Sequence, residues 1–259
     1  MLGRELFYSP LLGSLERWYC FLFGVPIVGL RIRLRKVAKL LPDQASHVLD
    51  AGCGRGVISR YLAKRYISAQ VTALDTEADL QGANTVIAQN QNLVNCKFIV
   101  GDLLEYHRPD AHDLIVSVDN LEHIDKDEQV LNNFYDSMLP GGVLLVHVPH
   151  YYRRWPVFHK QVNFDVPGHV RPGYRMSELV EKVEKPGFQV LDKGFSYGFL
   201  ENLVNNISYA ITGAREQNKV VYALAFPFLN MLAWMGQWGR PGFGAGVWVV
   251  AEKPGIAFK

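Results

Sequence analysis

The sequence predicts an α/β protein built on a doubly wound, mostly parallel sheet, and three observations carry that prediction. Between residues 46 and 150, short apolar runs alternate with stretches of helical periodicity, as a sheet covered by helices on both faces requires. The first run opens into a glycine-rich loop, "VLDAGCGRG", from Val48 to Gly56. The next three runs each end in an aspartate, Asp75, Asp102 and Asp119, at the strand ends where such sheets receive ligands.

The strand runs are "HVLDA", "AQVTALD", "CKFIVGD", "HDLIVSVD" and "GGVLLVHVP". "GVISRYLAKRY" spaces Val57, Ile58, Tyr61, Leu62 and Arg65 for a helix with one face on the sheet, and "EADLQGANTVIAQNQNL" supplies the second crossover. "KDEQVLNNFYDSML" supplies another, followed by Pro140, Gly141 and Gly142, which predict a helix stop and a turn. After Pro149 the alternation breaks. Residues 150–175 are polar, aromatic and rich in histidine, with no clear element; a short helix ("MSELVEKVEK"), a strand ("GFQVLDKGFSY"), an apolar block and a last strand ("GVWVVAEKP") follow.

A length of 259 residues suits one large domain with insertions. Its expected parts are an N-terminal helical segment (1–40), a ligand-binding core (41–150), a substrate-side loop and sixth strand (151–198), an apolar cap insertion (199–242), and a last strand and tail (243–259). A net charge of +2 with 20% charged residues gives no strongly basic field, which argues against a nucleic-acid partner. Cys20, Cys53 and Cys96 are odd in number and dispersed, unlike a disulfide framework or a metal cluster, so a reducing cytoplasm is expected. The first twenty residues do not read as a signal peptide. Two apolar stretches stand apart. Residues 18–30 fall short of the roughly 20 needed to span a bilayer, and residues 220–238 are interrupted by Pro227, Asn230, Gly236 and Gln237, so both read as interfacial or buried.

Asp50, Gly52, Gly54 and Gly56 fall where the first strand turns into the first helix. Glycines there permit positive φ angles and close approach of a ligand to the backbone. Their G-x-G-x-G spacing differs from the G-x-G-x-x-G that seats a pyrophosphate on a helix N-terminus, and an acid in the loop suits a ligand carrying positive charge.

On these residues the sequence resembles the class I S-adenosylmethionine-dependent methyltransferases, strongly over about residues 46–150 and weakly elsewhere. The resemblance implies a seven-stranded Rossmann-like sheet and S-adenosylmethionine as cofactor. It implies that the glycine loop wraps the methionine part of the cofactor with Asp50 supporting it. Asp75, with Thr76 beside it, would meet the ribose hydroxyls; Asp102 would meet the adenine amino group, with Leu103 beside the ring. Asp119 to His123 ("DNLEH") would lie next to the cofactor's amino-acid end and the methyl group.

Transfer to an oxygen would require removal of a proton, for which histidine is suited at neutral pH. His123 is the first candidate by position, with a structural histidine as the alternative. His150 and His169 come next, among further candidates Tyr151, Tyr152, His159, Asp165, Arg171 and Tyr174; a loop of that length is uncommon unless functional. No H-x-x-x-H or Cys/His spacing appears, and no metal is expected. The apolar block after Phe199 departs from the short hairpin of the resembled fold. It reads as a dimer interface or added core, or as an apolar acceptor pocket or membrane-facing surface. Trp18, Tyr19, Phe21 and Phe23, with Arg31, Arg33, Arg35 and Lys36, read either as an amphipathic segment on an anionic bilayer or as a helix packed on the sheet. The expected function is methylation, more readily at oxygen, of a small hydrophobic or lipid-like acceptor. A catalytically inert membrane-associated binding module is the alternative. A nucleic-acid or protein methyltransferase is disfavoured, because "DNLEH" stands where the amino-methylating nucleic-acid enzymes carry N-P-P-Y/F.

Overall fold

The computed structural model describes residues 2–155, 158–164, 166–213 and 217–255. Its strands are β1 (His47–Ala51), β2 (Gln70–Asp75), β3 (Cys96–Val100), β4 (His112–Val118), β5 (Met138–Pro149), β6 (Tyr152–Arg154), β7 (Lys160–Val162), β8 (Gln189–Ser196) and β9 (Gly246–Glu252). Seven of them form one sheet in the order β3-β2-β1-β4-β5-β9-β8. The first five run parallel, and β9 is antiparallel to both β5 and β8. The reversal of strand order between β1 and β4 places the ends of β1, β2, β3 and β4 along one edge, where the glycine loop and the three aspartates lie.

The helices are α1 (Ser14–Phe23), α2 (Val28–Leu40), α3 (Val57–Arg65), α4 (Ala78–Asn90), α5 (Asp127–Ser137), α6 (Met176–Glu184), α7 (Phe199–Thr212) and α8 (Lys219–Met235). β1 and β4 are buried along almost their whole length, hence their continuous apolar runs. On one face of the sheet, Leu131 and Phe134 of α5 pack with Leu179 and Val183 of α6. On the other, Leu34 and Val37 of α2 pack with Leu62 of α3. A separate cluster joins Ile32 of α2 to Val204 of α7 and to Phe226 and Leu229 of α8.

Four details refine that reading. α5 ends at Ser137, and Pro140-Gly141-Gly142 lies within β5 as an irregularity, with Gly141 at φ +79°, rather than forming a separate turn. The link from β3 to β4 contains no regular helix. Residues 150–175 are not elementless: β6 and β7 form an antiparallel hairpin, and His150 bridges to Tyr174. The arginines of α2 point inward, as the packed-helix reading requires: Arg31 is buried and donates to the carbonyls of Val25 and Phe23, and Arg33 pairs with Asp119. Among the described residues no helix is long and apolar enough to cross a membrane.

Candidate active site

The glycine loop is held from several sides. Gly52, Gly54 and Gly56 take φ angles of +77°, +47° and +63°, in the left-handed region that costs other residues about 1–2 kcal/mol. Gly52 and Cys53 donate to the Leu74 carbonyl, and Gly54 donates to Asp75 Oδ2 at 2.8 Å. Asn84 Nδ2 donates to the Gly54 carbonyl, and Arg60 braces both Asn84 and the Arg55 carbonyl. A side chain at Gly52 would overlap Asn120, whereas a Cβ at Gly54 would meet nothing within 4 Å. The loop is therefore anchored below and open above Gly54. Asp50 lies beneath it, fully buried, accepting from Ser59 Oγ at 2.5 Å; burial pushes its pKa up to about 7.

At the neighbouring strand ends a cavity of about 230 Å³ opens between the sheet edge, α2, α7 and the stretch that contributes Asn163, Phe164, Val166, His169 and Pro172. Arg33, Asp119, Glu122, His123, His147 and His169 line it. Asp119 receives Arg33 Nη1 at 2.8 Å on one oxygen and His147 Nδ1 at 2.8 Å on the other. Burial alone would raise the Asp119 pKa, but Arg33 and His147 outweigh it and hold the carboxyl below the ordinary range. Glu122 behaves oppositely: burial and then the Asp119 charge push its pKa well up. Two neighbouring carboxyls are thus pushed in opposite directions by their surroundings. Phe164 and Tyr209 stack on each other in the cavity wall with centroids 4.0 Å apart, and Arg153 covers the far side of Phe164 at 3.9 Å.

Residues 48–142 match the family model described as a methyltransferase domain, and they carry the parallel core of the sheet together with the glycine loop. These residues are a class I methyltransferase domain. (S)-coclaurine N-methyltransferase of Thalictrum flavum subsp. glaucum is 31% identical over 104 residues, 40% of this chain and 29% of that relative. Trans-aconitate 2-methyltransferase of Delftia acidovorans is 30% identical over 124 residues, 45% of this chain and 44% of that relative. The chain spans less than half the length of these curated relatives. The fold is shared with phosphoethanolamine N-methyltransferase 2 of Haemonchus contortus, solved with S-adenosyl-L-methionine, at a TM-score of 0.63 and 15% identity over 98% of this chain and 60% of that one.

Within the methyltransferase domain, Gly52, Gly54, Asp75 and Asp102 come together at one edge. Asp75 is half-buried, Thr76 and Asp102 are exposed, and Asp102 Oδ1 accepts from the Leu104 N–H at 2.8 Å. Leu103 is buried in the core instead of presenting an open face. His123 and His169 both line the cavity, with ring centroids 4.5 Å apart.

His150 does not reach the cavity. It is buried among Phe195, Phe243 and Tyr152, with Nδ1 donating to the Gly244 carbonyl, which accounts for it structurally. Arg171 and Tyr174 clamp Asp127 at the start of α5 rather than contacting the cavity, and His159 is exposed beside β7. Asp165 lies outside the described residues. Of the apolar insertion, α7 contributes Asn205 and Tyr209 to the lining and α8 contributes none of it, so the expected apolar pocket wall is replaced by a polar one. Sequence reading missed Arg33, His147, Tyr197 and Tyr209. For His147 a signal existed, a lone histidine inside the buried run "VLLVHVP"; for Arg33 the alternating "RIRLRK" hid which arginine turns inward.

Proposed function

We propose that the protein transfers a methyl group from S-adenosylmethionine to a hydroxyl oxygen of a small acceptor. The observation that carries this reading is the left-handed glycine loop, open above Gly54, at the same sheet edge as Asp75 and Asp102. Asn120 Nδ2 beside Gly52 is buried without a hydrogen-bond partner, a donor that suits a polar group of the cofactor. Asp75 already accepts from Gly54, and a carboxylate keeps enough lone pairs to take ribose hydroxyls as well. The cofactor supplies an electrophilic methyl group, so the protein's task is to hold the acceptor oxygen in line and take its proton. His123 serves that end: the Gly168 carbonyl only accepts, so Nδ1 of His123 carries the hydrogen and Nε2 keeps a lone pair for the acceptor's proton.

Calorimetric titration with S-adenosylhomocysteine tests the cofactor site. Micromolar binding is expected, weakened by about 1–3 kcal/mol in Asp102→Ala, which leaves the glycine loop intact. No binding to the unaltered protein would remove the reading.

Exposed apolar surface favours an acceptor carried at a membrane. Leu11, Leu15, Trp18 and Leu22 form one exposed stripe that runs onto α1, and Leu224, Phe228, Met231 and Trp238 another along and beyond α8. The two helices meet through Tyr19, which donates to the Ala223 carbonyl at 2.6 Å. Large exposed apolar patches mark interaction or membrane sites. α8 packs on α2 and α7, both of which wall the polar cavity, so a lipid-like acceptor resting against α8 would have its hydroxyl head one helix layer from Asp119. Co-sedimentation with anionic vesicles is expected, and it should be lost in Leu224→Glu/Phe228→Glu. Dimerisation without vesicle binding would assign the surface to a second copy instead.

A further inference from the structure

We propose that Glu122, His123 and His169 bind one divalent first-row transition metal, zinc being the best fit, in the wall of the acceptor cavity. One ligand atom from each of the three lies within 4.8 Å of the others. Nitrogen and carboxylate donors about 2.0–2.2 Å from zinc stand ~3–4 Å apart, so small rotations of exposed His123 and half-buried His169 close the set.

Three further observations separate this cluster from chance proximity. Glu122 has 0% exposure, and both its carboxylate oxygens are buried without a hydrogen-bond partner. A buried carboxyl in that condition calls for a proton or a cation. His123 is oriented from behind by the Gly168 carbonyl at 2.9 Å, the arrangement that typically fixes the tautomer of a metal-ligating imidazole and leaves Nε2 for the ion. The loop that carries His169 is tied to the turn that carries the other two ligands, because the Val170 N–H donates to the Glu122 carbonyl at 2.9 Å.

A set of two imidazoles and one carboxylate suits zinc and its neighbours and does not suit magnesium or calcium, which take oxygen ligands. The spacing rules applied to the sequence do not reveal it, since His169 stands far along the chain from Glu122 and His123. An ion there keeps an open position toward the cavity. The proposed acceptor reading supplies its role: a hydroxyl bound at that position would be acidified and would release its proton to water in the open cavity, since the ion would occupy the His123 lone pair that serves as base in its absence.

The full chain, dialysed against chelator, is titrated with zinc chloride by calorimetry and with cobalt chloride by visible absorption. One equivalent of each is expected to bind, with the visible bands of low-coordinate cobalt. Glu122→Gln and His169→Ala should each weaken binding by more than the 10–100-fold that follows loss of a mere outer-shell partner. No saturable binding, or binding unchanged in His169→Ala, overturns the site. S-adenosylhomocysteine titrated into the same preparations reports the cofactor reading separately.

Discussion

His147 bridges Asp119 and Ser196, with Nδ1 2.8 Å from Asp119 Oδ1 and Nε2 2.7 Å from Ser196 Oγ. The order is that of a nucleophilic triad, but Ser196 has 0% exposure inside β8, so no substrate carbonyl reaches it. Its hydroxyl fixes the His147 ring, and His147 with Arg33 fixes Asp119. Ser196→Ala is therefore expected to cost about 1–2 kcal/mol of stability with less than tenfold change in turnover. Asp119→Asn leaves Arg33 and His147 without their anion and should cost about 2–3 kcal/mol and abolish transfer. Denaturant unfolding and a methyl-transfer assay read both effects. A greater loss of turnover in Ser196→Ala would mean that Ser196 meets the substrate after all.

Stability should respond to pH through two buried groups with opposite signs. Asp50 is pushed up to about 7 by burial, so the native state keeps its proton where the unfolded chain, titrating near 4, has lost it; stability falls as pH rises from about 4 to about 7. Burial pushes His112 down to about 4, so stability rises from about pH 4 to the unfolded value near 6.5. The two slopes oppose each other below about pH 6.5, and of these two only the Asp50 loss remains above it. Asp50→Asn is expected to remove the whole Asp50 decline, an effect of up to about 4 kcal/mol summed from about pH 4 to about pH 7. Thermal unfolding of both proteins from about pH 4 to 8 measures it, and parallel curves would show that Asp50 does not titrate there.

Gly54→Ala separates strain from occupancy. At φ +47° the new side chain costs about 1–2 kcal/mol, yet it meets no protein atom within 4 Å. The variant should fold and lose at least tenfold in S-adenosylhomocysteine affinity. Unchanged affinity would place the cofactor away from the loop.

Phe164→Ala removes the ring sandwiched between Tyr209 and Arg153 over the cavity. An expected cost of about 1–2 kcal/mol in stability accompanies a raised KM for the acceptor, with cofactor affinity unchanged. A matching loss in cofactor affinity would show that the two sites share this wall.

The strand runs and the glycine loop were legible because local physics writes them into short stretches. Strand runs buried on both faces read as unbroken apolar segments, and a left-handed turn leaves glycines at Gly52, Gly54 and Gly56. The cavity wall was legible only in part. His123 and His169 were found by residue type, but His150 has the same type and lies buried behind Phe195 and Phe243, a distinction set by tertiary packing. Arg33 was misread for a similar reason, since Arg31, Arg33 and Arg35 look alike until the tilt of α2 decides which one meets Asp119.

The pairing of Arg33 with Asp119 also divides the molecule by inheritance. The shared domain, residues 48–142, contains Asp119, Glu122 and His123, while Arg33, His147, His169 and Tyr209 come from the flanking segments. The glycine loop lies within the sequence that matches the methyltransferase model, and much of the cavity wall is written in sequence that surrounds it. A lineage could exchange one substrate for another by altering these flanks, leaving the glycine loop untouched.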